Sequence, residues 1–115
     1  CQACNEASDW NQVGVSGFGN INNLMISAFS IFENQLYAAT YNPVTGSEIW
    51  RSGDGVAWEQ VGFGGLGDSQ NINVQSSGSM VKYNDTLVLG MMNPGNGLEI
   101  WQFLHNQLFL PIITR

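Results

Sequence analysis

Short runs of hydrophobic residues alternate with polar residues and end at turn-forming residues, which is the pattern of β-strands. The run at residues 87–92, Leu-Val-Leu-Gly-Met-Met, has no polar side and predicts a strand buried on both faces. No segment combines helical spacing with capping residues, so we expect an all-β fold with almost no helix. Predicted strands cover residues 26–31, 36–41, 48–51, 56–61, 79–83, 87–92, 99–103 and 107–112.

The chain contains an internal repeat. The sequence Trp-x-Gln-Val-Gly occurs at residues 10–14 and again 48 positions later at residues 58–62. Residues 42–50 recur 51 positions later as residues 93–101, and both copies carry Asn-Pro, a glycine and Glu-Ile-Trp. The larger second offset places an insertion within residues 71–78 of the second copy. Insertions of this kind belong in loops.

Each repeat of about 50 residues contains four predicted strands, which is typical of a β-propeller blade. A β-sandwich is the alternative, but a sandwich does not require self-similarity at this period. We therefore predict an all-β fold of two four-stranded antiparallel blades, completed by oligomerisation or strand exchange. The predicted domains are an N-terminal segment at 1–9, a first repeat with its leading strand at 10–57, and a second repeat with a C-terminal strand at 58–115.

Residues 52–58, Ser-Gly-Asp-Gly-Val-Ala-Trp, are one residue short of the pattern S-x-D-x-G-x-x-W. This segment resembles the Asp-box hairpin of sialidase-type secreted bacterial propellers, and the second repeat departs from it, with His105 in the position of Asp54. The resemblance implies a propeller fold and an extracellular or cell-surface location. It does not imply sialidase activity, because the Asp-box stabilises a turn away from the catalytic centre. The pair Asp54-Gly55 itself predicts a two-residue hairpin turn of type I′.

The composition excludes several classes of partner. Charged residues make up only 10% of the chain, against about 25% in average domains. The net charge is −6, and Arg51, Lys82 and Arg115 are the only Lys or Arg residues. Nucleic-acid binding requires a basic surface that this chain lacks. No apolar run reaches the length of a transmembrane segment, and no motif predicts a cofactor.

The two cysteines, Cys1 and Cys4, lie at the N-terminus of the sequence. A disulfide, within the chain or to another copy, fits an oxidising compartment. Attachment of a lipid to Cys1, as in bacterial lipoproteins, is an alternative, and a disordered end is a third. A redox-active pair is disfavoured, because the βαβ context of such motifs is missing.

The sequence offers no convincing catalytic group, so we predict that the chain is not an enzyme. His105, the single histidine, lies in a predicted turn without the Cys or carboxylate neighbours of a metal site. Glu48 and Glu99 are equivalent in the two repeats, and glycoside hydrolysis would require two carboxylates close together. We therefore expect structural roles for both glutamates.

Repeated aromatic and amide residues are the candidate binding groups. The tryptophans are expected to pack between blades, or alternatively to stack on sugar rings. The loop residues Asn20, Asn23, Asp68 and Asn71 are expected to form Asx turns, or alternatively a rim that contacts sugar or Ca²⁺. The four tryptophans, all at repeated positions, are Trp10, Trp50, Trp58 and Trp101.

Two blades cannot close a propeller, which needs four or more. We therefore expect a self-assembling structural protein whose partners are copies of itself, in a ring or a filament. A lectin-like module that binds glycans is the alternative function. Residues 10–14 resemble the fourth strand of a blade and make one strand more than two blades need. They and residues 107–112 compete for the same edge, so one terminal segment is expected to pair with a neighbouring copy.

Overall fold

The computed structural model describes residues 6–104 and 109–111, with side chains for residues 6–103. They form two four-stranded antiparallel sheets in which every strand pairs with its neighbour in sequence. The helical segments among the described residues are short 3-10 turns, so the predicted all-β fold is confirmed. The first sheet contains β1 Met25–Phe32, β2 Gln35–Tyr41, β3 Ile49–Ser52 and β4 Glu59–Gly62, and the second contains β5 Met80–Tyr83, β6 Thr86–Met91, β7 Glu99–Leu104 and β8 Phe109–Pro111.

The two sheets pack face to face over a shared hydrophobic core. Phe32, Tyr37 and Phe103 form an aromatic cluster whose ring centroids lie 5.8–6.5 Å apart in tilted or edge-on arrangements. The Arg51 guanidinium lies 5.8 Å from the centre of the Phe103 ring and donates a hydrogen bond to the Tyr37 hydroxyl. Burial of this cluster joins the two sheets.

The prediction that residues 87–92 are buried on both faces is wrong within a single chain. Leu87 and Leu89 are completely buried, whereas Val88 between them is half-buried and Met92 is 42% exposed. The reason is that the first sheet covers only one face of β6. The opposite face of the second sheet has no layer packed on it by the described residues.

The predicted Asp54-Gly55 hairpin also needs correction. The fourth strand begins at Glu59 rather than at residue 56, so six residues separate β3 from β4. Gly55 has φ of +80°, but Asp54 does not lie in the left-handed region, and a type I′ turn requires positive φ at both central residues. Side chains hold this longer connection, as described below.

Each sequence repeat begins one strand earlier than the sheet to which most of its strands belong. The second repeat begins at Trp58, yet β4 follows Trp58 and pairs with β3 of the first sheet. At the C-terminal end, β8 pairs with β7 of its own chain. Residues 10–14, which repeat Trp58 and β4, form no strand within the described chain.

Candidate assembly surfaces and repeated polar clusters

The Glu48 carboxylate is the centre of a polar cluster at the end of the first sheet. It is 8% exposed and accepts hydrogen bonds from the Asn20 amide (2.9 Å), the Asn23 amide (2.9 Å) and the Trp50 indole N–H (3.0 Å). A buried carboxylate is tolerated only when such donors replace water. The cluster therefore connects the segment before β1 to the start of β3.

Asn23 extends this cluster to the turn between β2 and β3. Its side-chain oxygen accepts hydrogen bonds from the Thr40 hydroxyl (2.8 Å) and the Asn42 amide (3.0 Å). The side-chain oxygen of Asn42 in turn accepts from the backbone N–H groups of Val44 and Thr45. Asn42 is completely buried, so its polar atoms require these partners.

The second repeat builds a related cluster around Glu99. This carboxylate accepts hydrogen bonds from the Asn71 amide (2.8 Å) and the Trp101 indole N–H (2.9 Å). The side-chain oxygen of Asn71 accepts from the Asn93 amide at 2.9 Å. Asn71 and Asn93 thus occupy the same places as Asn23 and Asn42 of the first repeat.

Asp68 is the main difference between the two clusters. Its counterpart Asn20 donates to Glu48, whereas Asp68 accepts hydrogen bonds from the side-chain amides of Asn93 (3.1 Å) and Asn96 (3.0 Å). The backbone N–H of Gln70 and the Asn96 amide lower the pKa of Asp68 below its ordinary value. Asn20 and Asp68 also both accept from the backbone N–H two residues later, which is an Asx turn.

The repeated tryptophans differ in their surroundings. The Trp50 ring is stacked on Phe18, with centroids 4.5 Å apart and an angle of 12° between the planes. Trp58 contacts the same phenylalanine at 5.6 Å, and Trp101 packs against the core. Trp10 is 65% exposed. One face of the Trp50 ring is therefore covered by Phe18.

Two glycine-rich loops precede the sheets, and we call residues 14–24 the first Gly loop and residues 62–72 the second Gly loop. Each contains a glycine and a larger residue in succession with left-handed backbone: Gly17 and Phe18 at φ of +63° and +51°, and Gly65 and Leu66 at +70° and +61°. Left-handed backbone at a non-glycine residue is strained. The same strain in both repeats indicates that the surrounding contacts impose this conformation.

The second Gly loop is bound to the turn between β2 and β3, residues 42–47, which we call the first Pro turn. Three backbone hydrogen bonds connect them: Asn42 N–H to Ile72 O at 2.9 Å, Ser47 N–H to Asn71 O at 2.8 Å, and Gly65 N–H to Ser47 O at 2.9 Å. This loop therefore bonds through its backbone to the first unit and through the Asn71 side chain to the second.

The connection between β3 and β4 is held by Ser52 and Asp54. The Ser52 hydroxyl accepts from the Gly55 N–H at 2.7 Å, and one Asp54 carboxylate oxygen accepts from the N–H groups of Val56 and Ala57 at 2.9 Å each. These backbone donors, that of Ala57 first, lower the pKa of Asp54 below its ordinary value. Asp54 thus stabilises a turn.

Gly55→Ala is expected to destabilise the fold by about 1 kcal/mol, because φ of +80° is unfavourable for an L side chain, although no atom in the described part of the chain lies within 4 Å of the added methyl. Gly53→Ala is the control, since Gly53 is equally uncrowded and its φ lies outside the left-handed region. Urea unfolding of both variants measures the difference. Equal stability of the two variants would contradict the assigned turn.

Equivalent residues of the two sheets differ in burial, most clearly on the outer face of the second sheet. Phe32 is 1% exposed on the buried face of the first sheet, and its counterpart Tyr83 is 67% exposed. On the first sheet this difference holds only in part, since Phe29, the counterpart of the buried Met80, is 47% exposed. Ala38 and Thr40, the counterparts of Leu89 and Met91, are 0% and 1% exposed. Further pairs of a buried first-sheet residue and its more exposed second-sheet counterpart are Tyr37 with Val88, Ala39 with Gly90, and Ile49 with Ile100.

The described residues bring together no group of three His, Cys, Asp or Glu side chains that could hold a metal ion. No helix among them has the length and hydropathy needed to cross a membrane. The candidate residues Cys1, Cys4 and His105 lie outside the described part of the chain.

The sequence pointed to Glu48 and Asn23 and their counterparts, but not to all their partners. Asn42 and Asn93 could have been identified as partners, because an asparagine precedes proline at this position in both repeats. Thr40 gave no such signal, because the second repeat has Met91 in its place. The stacking of Phe18 on Trp50 was likewise missed, since it depends on the left-handed backbone of the first Gly loop.

No family model, curated protein or solved structure matches this chain. The comparison between its own two repeats is therefore the basis for inferring function.

Proposed function

We propose that this chain is a non-catalytic structural module that assembles head to tail with further copies of itself. The observation that carries the proposal is the complementarity of the open faces. The interface between the two sheets buries one face of each. The outer face of the second sheet exposes Val81 and Tyr83, and the outer face of the first sheet exposes Phe29 and Ile31. A second copy can therefore repeat the internal contact at either end. Such unlike faces generate rings when the rotation closes and filaments when it does not.

The same proposal treats the two sheets as β-propeller blades. Each is an antiparallel four-stranded meander, and the sheets pack through their faces, as neighbouring blades do. Contacts also join β1 to β5, the first strands of the two sheets. The Phe29 N–H donates a hydrogen bond to the Ser77 hydroxyl in this region at 3.0 Å. First strands that lie side by side agree with blades arranged around a common axis.

Donation of a terminal strand is part of this assembly. Residues 10–14 have the same Trp-x-Gln-Val-Gly sequence as residues 58–62, which include β4. β4 pairs with β3, and the Glu-Ile-Trp sequence at the start of β3 recurs at the start of β7. In the single chain, β8 pairs with β7 through three residues, and Pro111 lies opposite Trp101. Proline has no N–H to donate to this edge. Residues 10–14 of another copy are therefore better suited to it.

The alternative function, binding of carbohydrate, has less support. The amides of Asn20, Asn23 and Asn71 donate hydrogen bonds within the internal clusters, and Phe18 covers one face of the Trp50 ring. An extracellular or cell-surface location remains part of the proposal, on the resemblance to secreted propeller repeats.

The test is light scattering combined with size-exclusion chromatography. The chain is expected to have a mass above that of the 12.6 kDa monomer at micromolar concentration. Phe29→Asp should reduce the mass to that of the monomer, because a charge on the open face of the first sheet would be buried on assembly. Val56→Asp is the control, since Val56 is 61% exposed in the turn before β4. A monomeric parent chain, or a Phe29→Asp variant that assembles like the parent, would overturn the proposal.

A further inference from the structure

The second Gly loop binds the first Pro turn within the chain. The first Gly loop and the turn equivalent to the first Pro turn have no such binding partner among the described residues. The turn between β6 and β7, residues 93–98, repeats the first Pro turn, and we call it the second Pro turn. It closes with the same kind of backbone bond, from Gly97 N–H to Asn93 O at 3.0 Å, as Gly46 makes to Asn42. The chain therefore contains a second copy of the surface to which a Gly loop binds.

The backbone groups that would form the docking bonds are free among the described residues. In the second Pro turn, these groups are the N–H of Asn93 and both the N–H and the carbonyl of Leu98. In the first Gly loop, they are the N–H of Gly17 and the carbonyls of Asn23 and Leu24. Ser47, the counterpart of Leu98, is completely buried by the docked loop, whereas Leu98 is 77% exposed. Only the backbone of Ser47 bonds to the loop, so the change to leucine removes neither donor nor acceptor.

The two Pro turns also differ in the space around their glycines. Gly46 and Gly97 have nearly equal φ, +97° and +93°. A methyl group added to Gly46 would lie 2.6 Å from the backbone nitrogen of Gly65 in the docked second Gly loop. At Gly97, no atom of the described residues lies within 4 Å of such a methyl. The second Pro turn thus has open space where the first Pro turn has a bound loop.

A cavity lies beside the first Gly loop. It has a volume of about 220 Å³, and its lining includes Gly14 and Phe18. Their counterparts in the second loop are Gly62 and Leu66. Side-chain atoms of Ile49, which pairs with Gly62 across β3 and β4, and of Leu66 lie 2.7 and 2.8 Å from the position of a Cβ on Gly62. A Cβ on Gly14 would instead lie 3.4 and 3.6 Å from side-chain atoms of Phe18 and Trp58 of its own chain. The residue equivalent to Ile49 is Ile100, which lies next to the second Pro turn.

We propose that the first Gly loop of one copy binds the second Pro turn of another copy. The bonds are Gly17 N–H to Leu98 O, Leu98 N–H to Asn23 O, and Asn93 N–H to Leu24 O. The inference rests on the proposed self-assembly and specifies which segments meet and in which register. The Asn23 amide of this loop also donates a hydrogen bond to Glu48 of its own unit. Docking therefore connects the polar cluster of one copy to the second sheet of the next.

Gly97→Ala tests the docking site. The added methyl meets no described residue of its own chain but would contact the backbone of Gly17 in the docked copy. We expect the variant to fold, with a far-ultraviolet circular dichroism spectrum like that of the parent, and to raise the dissociation constant of assembly at least tenfold in sedimentation. Gly97→Asn is the second variant, because asparagine tolerates positive φ better than alanine does.

Two controls separate docking from backbone strain. Gly55→Ala introduces an L residue at a similar φ away from both Pro turns, so it should assemble like the parent. Gly46→Ala places its methyl against the internally docked loop, so it should lower the melting temperature more than Gly55→Ala does. If the parent and both folded Gly97 variants assemble with the same dissociation constant, this docking is wrong while self-assembly stands. If the parent is monomeric, both proposals fail.

Discussion

Glu48→Ala is expected to destabilise the fold by about 3–5 kcal/mol. The substitution removes the acceptor of three side-chain donors at once, and hydrogen bonds to charged groups each contribute about 1.5–3 kcal/mol. Water that enters the partly exposed rim of the cluster offsets some of this loss. Urea unfolding monitored by tryptophan fluorescence gives the change in free energy, provided that the concentration keeps the chain monomeric.

Glu59→Ala is the matched control for this variant. The Glu59 side chain is 66% exposed and pairs with Arg51 at 3.0 Å. Exposed ion pairs contribute less than about 1 kcal/mol, so its removal should have a small effect. If Glu48→Ala is no more destabilising than Glu59→Ala, the cluster does not stabilise the first sheet.

Phe32→Ala is expected to cost about 3–5 kcal/mol, the usual range for deletion of a buried phenylalanine ring. Phe32 is 1% exposed and contacts both Tyr37 and Phe103, so the cavity would lie between the two sheets. Because β1 also pairs with β2 through backbone bonds, the cost falls mainly on the contact between sheets. Denaturant unfolding measures it.

Val56→Ala provides the comparison, since its side chain is 61% exposed outside the core and its loss should change stability by about 0.5 kcal/mol or less. A cost for Phe32→Ala below about 1 kcal/mol would mean that the sheets are not held together by this aromatic cluster.

The order of the strands could be predicted from the sequence because two independent signals agreed. Alternating hydrophobic residues located the strands, and the repeat showed that the same four elements occur twice. The Asn-Pro-x-x-Gly turns supported this division, since asparagine before proline binds the following backbone amides, as Asn42 does. Most strands therefore lie within two or three residues of their predicted positions.

The parts that were not predicted depend on tertiary contacts. The turn at Asp54 looks like a two-residue hairpin locally, but Ser52 and Asp54 bind the backbone and lengthen it. The burial of β6 depends on how many layers surround it, which hydrophobicity alone does not specify. The cluster around Glu48 needed knowledge of which asparagine side chains point inward, and the sequence contains many asparagines with no such role.

The strict neighbour-to-neighbour pairing of both sheets has a kinetic consequence. Each hairpin closes over a short stretch of chain, so the sheets themselves require only local loop closure. The aromatic contact between Phe32 and Phe103, in contrast, joins residues far apart in sequence. Formation of the hairpins is therefore expected to precede the docking of one sheet on the other, and docking should limit the folding rate. Substitutions in the turns would then alter early pairing, whereas substitutions in the aromatic cluster would mainly accelerate unfolding.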